Sequence, residues 1–208
     1  MTPHSHCGGG SPILPRSTYF MPKRVYIIHG WEATPEANWF SWLKSELENR
    51  GFKVTVPAMP DTEQPILEKW LKYLEKLVGE VDLNTYLVGH SLGVITILRF
   101  LETLPTSQKV GGAVLVAGFS ETIGFDELAS FFTAPLDYDK VKNSVNKIVA
   151  INSDNDQYVS LRNGEIIRDK LGAELIVVHQ GGHLNLDNGY AEMPVALEAL
   201  LKISGNNL

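Results

Sequence analysis

YLVGHSLGVITILRF, residues 86–100, runs from one apolar segment through Gly-His-Ser-Leu-Gly into another. Residues 84–90 read as a buried strand and residues 91–104 as the helix that follows. A serine between Gly89 and Gly93 at such a junction needs a physical reason. A tight strand-to-helix turn throws the serine hydroxyl outward, and larger side chains at the flanking glycines would clash at that approach. The helix starts at the serine, so the Leu92 amide points toward whatever reacts with Ser91, helped by the helix N-terminal dipole.

The same alternation of strand and helix extends in both directions. Strands are predicted at 24–30, 52–60, 110–120, 146–154 and from 173, and helices at 36–51, 64–80, 158–172 and 192–204. Strands that read as unbroken Val/Ile/Leu runs between amphipathic helices predict a parallel sheet covered on both faces. Residues 119–145 break the rhythm, with several phenylalanines but no strand, and are expected to form only a minimal cap.

Composition bounds the possibilities. The chain has 208 residues, 44% of them hydrophobic, which suits one globular domain at 21–208. A net charge of −6 without a Lys/Arg-rich block points away from nucleic acid and anionic membranes. No apolar stretch reaches the roughly 18 residues of a membrane span. One cysteine, Cys7, excludes an intramolecular disulfide framework and suits a cytoplasmic protein. Residues 1–20 are rich in Gly, Pro, Ser and Thr and are read as a flexible extension ahead of a start at Met21. His4, His6 and Cys7 lie close together there, but a structural metal site wants four ligands on a fixed scaffold.

In an open parallel sheet, ligands sit at the carboxyl ends of the strands. Those ends carry His29-Gly30-Trp31, His90-Ser91-Leu92, Asp154-Asn155-Asp156 and Gly181-Gly182-His183. Ser, then Asp, then His is the chain order of the α/β-hydrolase triad. Ser91 is the candidate nucleophile and His183 its general base. Asp156 and Asp154 both compete for the acid. Asp156 is favoured because it stands three residues before Val159, where the next helix begins. Asp154 is expected to shape the turn, His179 to be structural and His90 to pack beside the serine. The amides of Trp31 and Leu92 are the candidate oxyanion donors, and Trp31, Phe119 and Phe125 are candidates for the substrate pocket.

The segments VYIIHGW, NWFSWLKSEL, MPDTEQPILEKWLKYL, NTYLVGHSLGVITILRFLE, SDNDQYV and GGHLN together resemble small serine hydrolases of the YdeN type, related to retinoblastoma-binding protein nine. The resemblance implies a compact α/β-hydrolase fold with a six-stranded, mostly parallel sheet and a Ser-Asp-His triad. It places the serine at Ser91, the histidine at His183 and the acid at Asp156, with Asn155 where the family has a first acid. The Leu-x-Cys-x-Glu segment associated with pocket-protein binding is absent, so that partner is not implied.

Hydrolysis of small carboxylic esters through an acyl-enzyme on Ser91 is the expected activity, with no cofactor or metal called for. A minimal cap suits short-to-medium acyl chains. The alternatives are an aminopeptidase or amidase with the same triad, for which Glu32, Glu36 or Glu121 could clamp an amine, and a non-catalytic protein-binding module. Oligomeric state is not legible.

Overall fold

The structure is a computed structural model and describes residue 1 and residues 22–206. The expected leader, with His4, His6 and Cys7, otherwise lies outside the described residues. Six strands form one sheet: β1 (Arg24–Ile28), β2 (Lys53–Thr55), β3 (Thr85–His90), β4 (Gly112–Val116), β5 (Ile148–Ser153) and β6 (Glu174–Val178). Their spatial order is β2-β1-β3-β4-β5-β6, and every pairing is parallel. The order reverses between β1 and β3, and a crevice opens at the strand ends there.

Among the described residues, six helices cover the sheet: α1 (Phe40–Glu48), α2 (Leu67–Val78), α3 (Leu92–Thr103), α4 (Tyr138–Ser144), α5 (Leu161–Leu171) and α6 (Pro194–Ser204). Strand side chains alternate between two cores, as the pleat requires. Val25, Ile27, Val88, Val114 and Ile151 join α1 and α6 on one face. Ile28, Leu87, Leu115 and Ala150 join α2 to α5 on the other. α3 lies at the centre, with ten of its residues buried, so its entry angle from β3 is set by packing. No helix among the described residues is long and apolar enough to cross a membrane.

Two segments depart from the sequence reading. The run Glu174–Val178 forms the sheet edge rather than a covered strand, and Val177 is 48% exposed. Periodicity cannot tell an edge strand of this composition from a central one. The cap region also holds helical structure that the sequence pattern does not show, because a 3-10 turn (Asp126–Phe132) leads into α4. Asp137 caps α4 by accepting from Lys140 N at 2.9 Å. Buried Arg99 of α3 anchors the cap. Its guanidinium donates to the carbonyls of Phe131, Ala134 and Pro135 and to Glu102, whose other oxygen accepts from Asp137 N. A charge buried at this depth is tolerated because its donors are met. The cap is therefore tied to the sheet through α3.

Candidate active site

At the end of β3 the chain turns on Ser91, with φ 53° and ψ −119°. A non-glycine residue held there costs about 1–3 kcal/mol, so the surroundings must impose it. Ser91 N donates to Val116 O at 3.0 Å, and Ser91 O accepts from Val94 N at 2.9 Å. The serine stands at the N-cap of α3, yet its side chain makes no capping bond, which leaves Oγ available. Both flanking glycines are required by close approach. A Cβ on Gly93 would lie 2.1 Å from Ile28 O, and one on Gly89 would lie 2.9 Å from Ile97 Cδ1.

Asp156 and His183 meet across the ends of β5 and β6. Asp156 Oδ2 lies 2.8 Å from His183 Nδ1, and the Asp156 side chain is completely buried. Its other oxygen accepts from Tyr158 N at 2.8 Å and Val159 N at 3.0 Å. This turn explains the Asp-x-x-Val spacing: one oxygen closes the turn while the other reaches the imidazole. The bond at Nδ1 leaves Nε2 of His183 free for a reacting group. Ser91 and His183 line the same cavity. No hydrogen bond joins Oγ to the ring, and such contacts commonly tighten only in the Michaelis complex.

Asp154 is engaged elsewhere. It contacts His179 Nδ1 at 2.6 Å and accepts from Gln180 N at 2.8 Å. These two hydrogen bonds, the backbone one first, hold its carboxyl below the usual range. The Asp154–His179 pair lies at the surface, with the His179 side chain 79% exposed.

Two further histidines are buried and neutral. His29 accepts from Met59 N at Nε2 (3.1 Å), and its Nδ1 lies 3.0 Å from Gly30 O. Those contacts select the tautomer with the proton on Nδ1. Gly30 O and the Trp31 amide belong to one peptide group, so this contact orients that N–H. Burial pushes the His29 pKa down. The role of His29 is not legible in the sequence, because its partner Met59 lies 30 residues away. His90 packs against Trp39, Phe40 and the His183 ring, and its Nε2 lies 3.0 Å from His183 O.

Burial, and next the neighbouring His183, drive the His90 pKa down to about 3. Above pH ~6.5 His90 is neutral folded or unfolded and has no effect on stability. As pH falls below ~6.5, the unfolded chain takes up the proton and the folded chain does not. Stability is therefore expected to decline from there toward pH 3. Urea midpoints measured between pH 7.5 and 4.5 should show this decline, and His90→Gln should lessen it, leaving the part that His29 contributes. An unchanged slope in the variant would assign the acid sensitivity to other groups.

The cavity at Ser91 has a volume of about 290 Å³. Trp31, Ile123, Phe125, Leu128 and Tyr158 form its apolar wall, and Glu32 and Asp187 are the carboxylates that line it. Trp31 packs edge-on against Phe125, with ring centroids 5.6 Å apart. The Trp31 indole donates to Glu63 O at 3.1 Å, and Glu32 N donates to Thr62 O at 3.0 Å, so residues 62–63 hold this wall from outside. The Trp31 and Leu92 amides have no hydrogen-bond partner among the described residues.

Phe119 corrects the expected pocket. It is fully buried in the core beside Phe132 and does not line the cavity, because three residues beyond the end of β4 its side chain turns into the core that the sheet shares with α2 to α5. Tyr158 was missed. Its ring lies edge-on to His183 at 5.1 Å. Its place two residues after Asp156 was the available signal.

The chain is similar to known proteins. YdeN of Bacillus subtilis (strain 168) is 37% identical over 181 residues, covering 86% of this chain and 95% of YdeN. The serine hydrolase RBBP9 of Rattus norvegicus is 28% identical over 167 residues, covering 78% and 87% of the two chains. The crystal structure of the B. subtilis ydeN product superposes with a TM-score of 0.85 at 36% identity, covering 88% of this chain and 99% of that one. Residues 25–202 match the family model described as serine hydrolase, and with the sheet, the elbow and the Asp–His pair already in place, the chain belongs to the serine hydrolase family.

Proposed function

We propose that this serine hydrolase cleaves small carboxylic esters through an acyl-enzyme on Ser91. The observation that carries the reading is the convergence of a strained Ser91, an imidazole with Nδ1 bound to a buried carboxylate, and one shared cavity. In the proposed reaction Ser91 Oγ attacks the ester carbonyl carbon while His183 Nε2 takes the hydroxyl proton. Asp156 stabilises the imidazolium that results. The amides of Trp31 and Leu92 donate to the oxyanion. As the tetrahedral adduct collapses, the C–O bond to the alcohol breaks and His183 returns the proton to the departing oxygen. Water then attacks the acyl-enzyme with His183 as base, releasing the carboxylic acid and restoring Ser91.

A cavity of about 290 Å³ with the cap tied down by Arg99 suits short-to-medium acyl chains. Glu32 and Asp187 on its wall support a second reading, in which the acyl group carries an amine. Of the three earlier clamp candidates, Glu36 and Glu121 do not line the cavity.

A fluorophosphonate probe followed by peptide mass spectrometry tests the nucleophile. One adduct, on Ser91, is expected, with none in Ser91→Ala. A folded protein that stays unlabelled would favour a binding role instead. A panel of p-nitrophenyl esters from acetyl to palmitoyl, beside aminoacyl esters and amides, then tests the substrate. Faster turnover of palmitoyl than butyryl ester would sink the short-chain reading, and amides outpacing their matched esters would replace it with an amidase.

A further inference from the structure

The last backbone bond of the β5–β6 ladder is Asp154 N to Val178 O, at 3.3 Å. Beyond it the two chain segments are joined by side chains. Gly181 N donates to Ser153 Oγ at 2.9 Å, Gln180 N to Asp154 Oδ1 at 2.8 Å and Gly182 N to Asn155 Oδ1 at 2.8 Å. The fourth side chain in succession is Asp156, on the His183 ring. Ser153 Oγ also donates to Asn155 Oδ1 at 2.8 Å, so one oxygen of Asn155 gathers both the serine and the glycine amide. His183 N is taken from the other side by Asn188 Oδ1 at 2.8 Å.

This pattern has a mechanical meaning. Gly181 and Gly182 carry no side chains to pack, and Gly182 sits at φ +55°. Both glycines are buried, with Leu184 and Asn188 close against them, so the place of this loop is set by that packing together with its hydrogen bonds. Asn155 is itself exposed and fills no core, which leaves its bonds as its contribution. The Asp156 carboxylate holds one nitrogen of the imidazole but does not fix the backbone that carries it.

We propose that Asn155 is a positioning residue for His183. Its Oδ1 pins Gly182 and thereby sets where the imidazole stands relative to Ser91. The inference rests on the reading of His183 as the general base.

The test is turnover of p-nitrophenyl butyrate by Asn155→Ala and Asn155→Asp, with thermal melts of each. Asn155→Ala should lower kcat roughly 10- to 100-fold with KM within about threefold, as expected for a displaced base. Asn155→Asp should recover most of the rate, since a carboxylate oxygen accepts the same two bonds. In a His183→Ala background, Asn155→Ala should change the residual rate by less than about twofold, because its effect runs through that side chain. Wild-type kcat in Asn155→Ala, or the same loss with and without His183, would overturn the proposal. If His183→Ala alone kept wild-type turnover, the triad reading itself would fail. An inactive His183→Ala beside a fully active Asn155→Ala would defeat only the role of Asn155.

Discussion

Ser91→Ala is expected to lower kcat on p-nitrophenyl butyrate by roughly 10⁴- to 10⁶-fold, and His183→Ala by a comparable factor. Asp156→Asn should cost about 10⁴-fold, while Asp154→Asn stays within about threefold of wild type. The contrast follows from the partners of each carboxylate. An asparagine at 156 can keep the turn to Tyr158 and Val159 through its oxygen, but its NH₂ then faces His183 Nδ1. That partner favours the tautomer with the proton on Nε2, which cannot accept from the serine. At 154 the asparagine oxygen still accepts from Gln180 N, and only an exposed pair with His179 is lost. Steady-state kinetics of the four variants, each shown to be folded, decide the matter. Equal losses at 154 and 156 would mean that the acid is shared or misassigned.

Gly93→Ala is expected to be the most damaging single methyl added near the site, lowering stability by about 3 kcal/mol. In a helix interior alanine normally gains nearly 1 kcal/mol over glycine. Here the new Cβ would stand 2.1 Å from Ile28 O and 2.9 Å from His29 O, both backbone atoms of β1 and the loop after it. Neither can move without displacing the sheet or the Gly30–Trp31 peptide. A thermal melt should show Tm falling by roughly 6–12 °C for a chain of this size. Gly30→Ala is the control, because its Cβ would come no closer to any neighbour than 3.1 Å, at the Ser91 Cβ. Equal melting temperatures for the two variants would show that α3 can slide away from β1.

Much of this was legible in the order of residues. Among the described residues, the six strands follow from apolar runs and five of the six helices from apolar spacing. The elbow follows from two glycines around a serine at a strand-to-helix junction. These signals are local, and local sterics and periodicity are what a sequence records directly. α4 was not legible, because Tyr138–Ser144 is only seven residues long and is held by Arg99 and Glu102, which lie some 35 residues away. Phe119 and Phe125 look alike as a pair of phenylalanines in the cap region. Which one faces the cavity depends on where β4 ends.

The sequence alone determined the strand and helix pattern of an α/β sheet and the turn at Ser91, because these depend on neighbours within a few residues, and it carries the chain order Ser, Asp, His directly. Only the tertiary structure decided which aspartate meets His183, which aromatics wall the cavity and what grips the Gly181-Gly182 loop. Those are contacts between chain segments brought together by strand pairing. The ends of β5 and β6 become neighbours only once Ser153 and Val178 are in register, and the side chains of residues 153–156 then find the amides and imidazole of residues 180–183.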